Sequence, residues 1–465
     1  MNQLGQALGK TGRLALWIAT SLWLAAFMGG FVASAALAGE PPAFEDPAAR
    51  TRTTVLPNGL TVLTLEDPST PVVSFQIWVD VGSGDEARWT GLAHLFEHMM
   101  FRGSEHLPPE AHQTILEKRG ARLNAFTSRD VTVYFADVTR ENLPLVIELE
   151  AERLRFLDIS EDSLASEREV VIEERRFRTE SNPEGKLFEQ LMALVFQAHP
   201  YRVPTIGWKS DLEKMGVAEC RAFFDDYYAA NNLVIAIAGD FDTDETLALI
   251  EKHLGPLRTS SDIPRNPTEE PEQRGERRAV VHFDVRAPTL AVAWHAPPSG
   301  HPDAEPLDVM STILSSGRTS RLYKRLVHDE PLALGASASY WELERAGLVY
   351  GFVSLRPGVA IERAEEVFLE EIEALRVAPP SAAELEKAQR ALEVALIGGL
   401  GTSHALASRL GREWLSFGRV RPLQERLDAI QRVTAEDVQR VAEAYLRPDK
   451  RTVLHLMPPP SEEGS

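Results

Sequence analysis

The chain has 465 residues and a formal net charge of -20; 44% of it is hydrophobic and 25% charged. A single core does not grow to that length, so roughly two to four domains are expected, in a globular rather than a disordered or fibrous chain. The acidic balance without any basic stripe excludes a nucleic-acid binder, and the one cysteine, Cys220, excludes an intrachain disulfide.

At the N-terminus, Lys10 and Arg13 precede an apolar run from Leu14 to Ala38 that ends Ala36-Leu37-Ala38 before Gly39-Glu40. A positive start, an apolar middle and a small-x-small end predict a secretory signal over 1–38. The run is also long enough for an uncleaved membrane anchor over 14–38, since ~20 residues span a bilayer. Either way the rest of the chain is exported, and a periplasmic location is expected, with membrane contact only if the segment is uncleaved. Residues 39–50, rich in Pro and Ala, form a flexible lead-in.

Next come two short β-rich runs around the turn signal Asn58-Gly59, a strand over Val72 to Val81, and a helix at about Gly91 to Arg102. Asn124 to Asp137 is β-rich again, and Leu233 to Ala238 reads as a buried strand ended by Gly239-Asp240. These elements make a first domain over 51–258. Residues 259–276 are polar and carry Pro264, Pro267 and Pro271, the composition of a linker. The order then repeats over 277–460. Strands are expected at Ala279 to Phe283, Thr289 to Trp294, Ala336 to Tyr340 and Val349 to Ser354. Helices are expected at about Glu305 to Leu314, Ala360 to Arg376 and Ala382 to Leu400. The predicted class is α+β: two similar domains of about 200 residues each, an antiparallel sheet packed with helices in each.

The chemistry-bearing segment is Gly91-Leu-Ala-His94-Leu-Phe-Glu97-His98-Met-Met-Phe-Arg102. On a helix His94 and His98 stand at i and i+4 and project from one face, with Glu97 beside them. The flanking residues are apolar, so the helix is expected to be buried, and burying three polar side chains without partners is costly. A bound zinc ion uses all three; hydrogen-bonded core histidines are the plainer alternative. The order His-x-x-Glu-His is an inverted zinc-peptidase motif.

Catalytic zinc takes a third protein ligand and keeps one position open. In Ser160 to Arg178, the residues Leu164, Val171 and Phe177 are read as an apolar stripe, with Glu167 and Glu174 inside it, seven residues apart. Glu169 and Glu173, two residues from Val171 and so about 200° round the helix, face away. A solvated charged helix is the alternative reading of this run.

These segments together resemble the M16 (pitrilysin-type, inverzincin) metallopeptidases over nearly the whole chain after the signal, at the size of the smaller, two-domain members. Glu174 lies 76 positions after His98, the spacing of that family. The resemblance implies one Zn2+ per chain on His94, His98 and Glu174, with Glu97 as general base and Glu167 orienting the site. It implies that Asn124-Ala125-Phe126-Thr127 is a substrate-binding edge strand; Pro200-Tyr201 and Pro204 to Trp208 also look like family segments. The expected activity is hydrolysis of peptides or unfolded segments, with zinc polarising the carbonyl and Glu97 moving the water proton.

The second half lacks the metal motif, with Asp308, Ser311 and Thr312 standing where His94, Glu97 and His98 do. Self-sufficient members of the family carry an Arg and a Tyr in the later half. Anchored on Arg321-Leu-Tyr323-Lys-Arg325-Leu326, those positions hold Val327 and Leu334, which cannot donate a hydrogen bond. The resemblance therefore implies the zinc-bearing half of a heterodimer whose second M16-like subunit supplies the Arg/Tyr pair. A homodimer in which Arg318, Arg321, Tyr323 or Tyr340 substitutes is the alternative. A non-catalytic assembly or peptide-binding subunit is the competing function.

Overall fold

The computed structural model describes residues 46–460, so the signal assigned to 1–38 and most of the lead-in lie outside the described residues. Among the described residues no helix is long and apolar enough to cross a membrane. The first strands, β1 (Arg52–Val55) and β2 (Thr61–Glu66), pair as an antiparallel hairpin. Its turn is set by Gly59 at φ 83°, a conformation that glycine adopts without strain, and by the Asn58 side chain, which accepts from Leu60 N at 3.1 Å.

Four more strands complete the first sheet: β3 (Val72–Val79), β4 (Arg122–Thr127), β5 (Thr132–Thr139) and β6 (Leu233–Gly239). Their order is β1-β2-β6-β3-β5-β4, which leaves β4 at an edge. The second half contributes β7 (Arg277–His282), β8 (Thr289–Ala296), β9 (Ala333–Trp341), β10 (Gly347–Leu355) and β11 (Arg451–Met457), in the order β7-β11-β8-β10-β9. Without β1, the two sheets have one topology. Both contain one parallel pair, β2 with β6 and β7 with β11, among otherwise antiparallel neighbours. The α+β pair of matched halves is thus present, and each sheet is mixed at the point where its last strand returns.

Six helices matter for the site: α1 (Leu92–Met99), α2 (Ala111–Glu117), α3 (Glu161–Arg175), α4 (Pro183–Val195), α5 (Ala304–Ser315) and α6 (Ser403–Phe417). Two of them cross between the halves. α4 belongs to the first half by sequence, but Leu187, Leu191, Met192 and Val195 are buried against Ala291, Ala293, Leu348, Leu454 and Leu456 of the second sheet. In return α6 buries Leu406, Ala407 and Leu410 against Leu63, Trp78, Val133 and Val234 of the first. The fit there is close: a Cβ on Gly411 would lie 2.3 Å from the Trp78 ring.

The segment 259–276 forms neither helix nor strand, yet it is strapped to the first half. The Glu270 carboxylate accepts from the backbone N–H groups of Gln197, Ala198 and His199 at 2.8–3.0 Å, and Gln273 is buried.

Candidate metal centre

α1 packs Leu92, Ala93, Leu95, Phe96 and Met99 into the first core, with Phe96 against Phe223, Phe224 and Tyr228. No side chain caps its start locally. The Glu86 carboxylate does so from a distance, accepting from Gly91 N and Ala93 N at 2.8 Å each, which satisfies two of the orphan donors of a helix N-terminus. Gly91, at φ 87°, stands so close to the Ile206 carbonyl that a Cβ would lie 2.5 Å from it. The segment Pro204 to Trp208 is therefore the floor on which α1 begins.

The helix presents His94 and His98 on one side, ring centroids 4.9 Å apart. α3 lies across them. Its start is fixed by a capping box between Ser160 and Ser163, and it buries Leu164, Glu167 and Val171. Glu174 Oε2 is 3.2 Å from His98 Nε2 and 3.8 Å from His94 Nε2. Glu167 Oε2 is 3.1 Å from His98 Nδ1, and its other oxygen accepts from Arg102 Nε at 2.6 Å. Glu169 and Glu173 are exposed, Glu173 being paired with Arg176 at the surface.

Phe177 departs from the expected apolar stripe: it is 77% exposed. Six residues beyond Val171 is about 240° round an α-helix, off the buried face. The chain also widens into a π-helical turn at Arg176–Glu180.

Glu97 faces the same space, and the Thr127 hydroxyl donates to its Oε2 at 2.7 Å. Thr127, expected only to bind substrate, thus also fixes the carboxylate. Of its neighbours on β4, Ala125 is buried while Asn124 and Phe126 are exposed, and among the described residues β5 is the strand's only partner. Burial pushes the Glu97 carboxyl up, against the lowering effect of the Thr127 bond. Burial lowers the His94 imidazole to about 4, helped by His98. For His98 burial acts the same way, but the hydrogen bonds of Glu167 and Glu174 outweigh it and raise the ring to about 9.

His94 is buried, and among the described residues its Nδ1 has no hydrogen-bond partner. One donor atom each from His94, His98 and Glu174 lies within 4.8 Å of the others, the one such cluster among the described residues. Two imidazole nitrogens and a carboxylate oxygen, with a further carboxylate on the non-ligating nitrogen of His98, fit a divalent zinc-type ion that keeps an open position.

Three residues of this site escape a sequence reading. Glu86 caps α1 from five residues before its N-cap, outside any local capping pattern. Arg178 holds Glu174 Oε1 at 2.9 Å; an i, i+4 pair with Glu174 is its only sequence signal. Arg175 donates to Glu189 of α4 at 2.7 Å and to the Gly207 carbonyl at 2.8 Å, and stacks on Trp208.

In the second half α5 follows β8 as α1 follows β3. There Asp308 is paired with Arg426 at 3.0 Å and the Thr312 hydroxyl bonds back to the Asp308 carbonyl. Leu334 is 64% exposed on β9, and Val327 packs against the second core. Arg321 is held by Glu384 through two bonds, 2.7 and 3.1 Å, and the Tyr340 hydroxyl donates to the Pro297 carbonyl.

Two topologically matched α+β halves, one of them bearing a cluster of two histidines and a glutamate, make a two-domain fold with one candidate metal centre among the described residues. Comparison with known proteins agrees. Residues 61–208 match the family described as insulinase (peptidase family M16), and residues 214–392 match the peptidase M16 inactive domain. This chain belongs to the M16 peptidase family. It is 29% identical over 408 residues to a zinc protease, PqqE, of Helicobacter pylori, covering 87% of this chain and 92% of that one. It is 30% identical over 412 residues to a probable mitochondrial-processing peptidase subunit beta of Schizosaccharomyces pombe, covering 84% and 88%. The crystal structure of a protease from Helicobacter pylori superposes with a TM-score of 0.85 at 28% identity, over 88% of this chain and 99% of that one.

Proposed function

We propose that this chain is a zinc endopeptidase acting on peptides or unfolded segments, with His94, His98 and Glu174 holding one zinc ion and Glu97 as general base. The observation that carries this reading is the convergence of those three donors within 4.8 Å, beside a Glu97 carboxylate fixed by Thr127. Bound there, zinc supplies Lewis acidity and lowers the pKa of water at the site.

The protein's own groups do the rest. Glu97, its affinity for protons raised by burial, takes the proton of the attacking water and passes it to the leaving amine. Glu167 holds His98 through Nδ1, which leaves Nε2 for the metal. The unpaired edge of β4 offers backbone groups to an extended peptide across Asn124 to Thr127, the mode of strand addition.

Val327 and Leu334 offer no donor to a developing oxyanion, and loss of such donors costs ~10²–10³ in rate. A second M16-like subunit carrying an Arg/Tyr pair is therefore part of the proposal; the likeness to a relative named as a subunit supports it. The engagement of Arg321 and Tyr340 within the chain weighs against a homodimer. An exported, periplasmic peptidase, held at the inner membrane if residues 14–38 are uncleaved, is part of the same reading, which the apolar run Leu14 to Ala38 supports.

The test is Glu97→Gln. Metal analysis of the folded variant should find one zinc per chain, as in the parent, while peptide cleavage by the chain with its partner falls by orders of magnitude. Zinc lost from Glu97→Gln, or turnover retained, refutes the assignment. Full activity of the parent as an isolated monomer refutes the need for a partner.

A further inference from the structure

Two cavities adjoin the cluster and share no lining residue. The larger, about 490 Å³, lies beside Glu97 and His98 and carries Glu110, Glu117 and Glu167 against Arg102. The smaller, about 230 Å³, lies beside His94 and Thr127 and has the opposite character. Arg178 and Arg129 both line it. Its one carboxylate, Glu189, is already engaged by Arg175 at 2.7 Å and Lys186 at 3.0 Å. Phe188, Met192, Pro204 and Ile206 supply apolar walls.

The two arginines are held differently. Arg129 is buried and held by two contacts: its Nε donates to the Tyr201 carbonyl at 3.2 Å and its guanidinium lies over the Trp341 ring at 4.9 Å. It is a fixed positive charge in a poorly screened place. Arg178 is 70% exposed at the mouth and gives Nη1 to Glu174. A guanidinium has five N–H donors in a planar fork, so holding Glu174 leaves capacity for a second carboxylate. β4 runs past both cavities, Asn124 bordering the larger and Thr127 the smaller. A peptide laid along that edge sets a side chain over each.

We propose that the smaller cavity is a specificity subsite for a carboxylate-bearing side chain, Asp or Glu, adjacent to the scissile bond, and that Arg178 is the residue that pairs with it. The inference rests on the peptidase reading above and names its substrate class. The methylene stem packs on Phe188 and Ile206 while the carboxylate meets the Arg178 fork. A neutral amide of the same shape loses the charge-assisted bond, and a lysine meets two cations.

The experiment has a cleavage arm and a binding arm. Cleavage sites in a mixed peptide library are mapped by mass spectrometry with the zinc-loaded full chain together with its partner subunit. Matched Glu and Gln peptides are then compared for the parent, Arg178→Met and Arg176→Met; Arg176 pairs with Glu173 on the surface. Asp and Glu should be enriched at one position flanking the cut. Arg178→Met should lose roughly tenfold more in kcat/KM on the Glu peptide than on the Gln peptide, so that the preference disappears, while Arg176→Met keeps it. Equal loss on both peptides shows Arg178 acting only through Glu174 and overturns the proposal, as does a library without acidic preference. Binding is measured by fluorescence anisotropy on Glu97→Gln. About tenfold tighter capture of the Glu peptide at low salt, abolished by adding Arg178→Met, supports the subsite even where no turnover is found, which would fault the peptidase reading alone. Equal affinities overturn it.

Discussion

In the proposed metal centre Glu167 is the residue that orients a ligand without being one. It is 5% exposed, and its two oxygens are committed to different partners, Arg102 Nε at 2.6 Å and His98 Nδ1 at 3.1 Å. In Glu167→Gln one of those acceptors becomes an amide N–H donor facing a donor. If Arg102 keeps the remaining oxygen, His98 loses the acceptor that fixes its tautomer and ring orientation. Loss of such a partner lowers metal affinity by about 10–100-fold, or roughly 1.4–2.8 kcal/mol. The variant should fold, because Arg102 retains a second carboxylate in Glu110 at 3.4 Å.

The assay is zinc competition against a chromophoric chelator, with circular dichroism confirming the fold, and Glu169→Gln as the control from the exposed side of the same helix. The expected order of affinity is parent equal to Glu169→Gln, then Glu167→Gln, with Glu167→Ala weakest. A folded Glu167→Gln with affinity within about twofold of the parent would show that His98 needs no outer partner. Equal losses in Glu167→Gln and Glu169→Gln would show a general electrostatic effect of the helix. Either result refutes the reasoning.

Two further outcomes concern stability. Leu410→Ala removes a side chain of the second half from the core of the first, and should cost about 2–5 kcal/mol, seen as a lower urea midpoint; a midpoint unchanged from the parent would refute the helix exchange. Burial alone would raise the Glu365 carboxyl, but hydrogen bonds from His455 and Arg278 hold it down to about 2, from an ordinary 4.5. A depressed carboxylate contributes stability that is present above about pH 4.5 and is lost as pH falls through about 2, here at most about 3 kcal/mol. Urea midpoints measured from pH 7 to pH 3 should fall less steeply for Glu365→Gln than for the parent; parallel slopes would show the carboxylate to be unlinked.

What was legible in the sequence is what short-range periodicity determines. His94 and His98 share a face because they are four residues apart on a helix, and Glu167 and Glu174 share one because seven residues make nearly two turns. Both statements survive any tertiary context in which those helices form. Phe177 was misplaced because a six-residue step does not return to the same face, and because the turn there widens. The helix exchange had no local signature. Leu187, Leu191 and Val195, like Leu406 and Leu410, mark an apolar stripe, and a stripe says that a helix is covered without saying by which sheet. The cap from Glu86 and the parallel return of β6 onto β2 are likewise long-range choices, made by packing after the elements exist.

The exchange bears directly on the metal centre. His94 and His98 are set within the first half, by α1 on its own core. Glu174 stands near the end of α3, and its neighbour Arg175 is tied to Glu189 on α4. α4 in turn is seated on the second sheet through Leu187, Leu191 and Met192. The third donor is therefore positioned through a helix that the ligand-free half holds in place. A shift of α4 on that sheet would move Glu174 relative to two histidines that stay where they are, and an error of about 1 Å in a donor position is large against a bond of about 2 Å to zinc. Among the described residues the second half contributes none of the three candidate donors, yet their cluster in the first half is assembled on top of it.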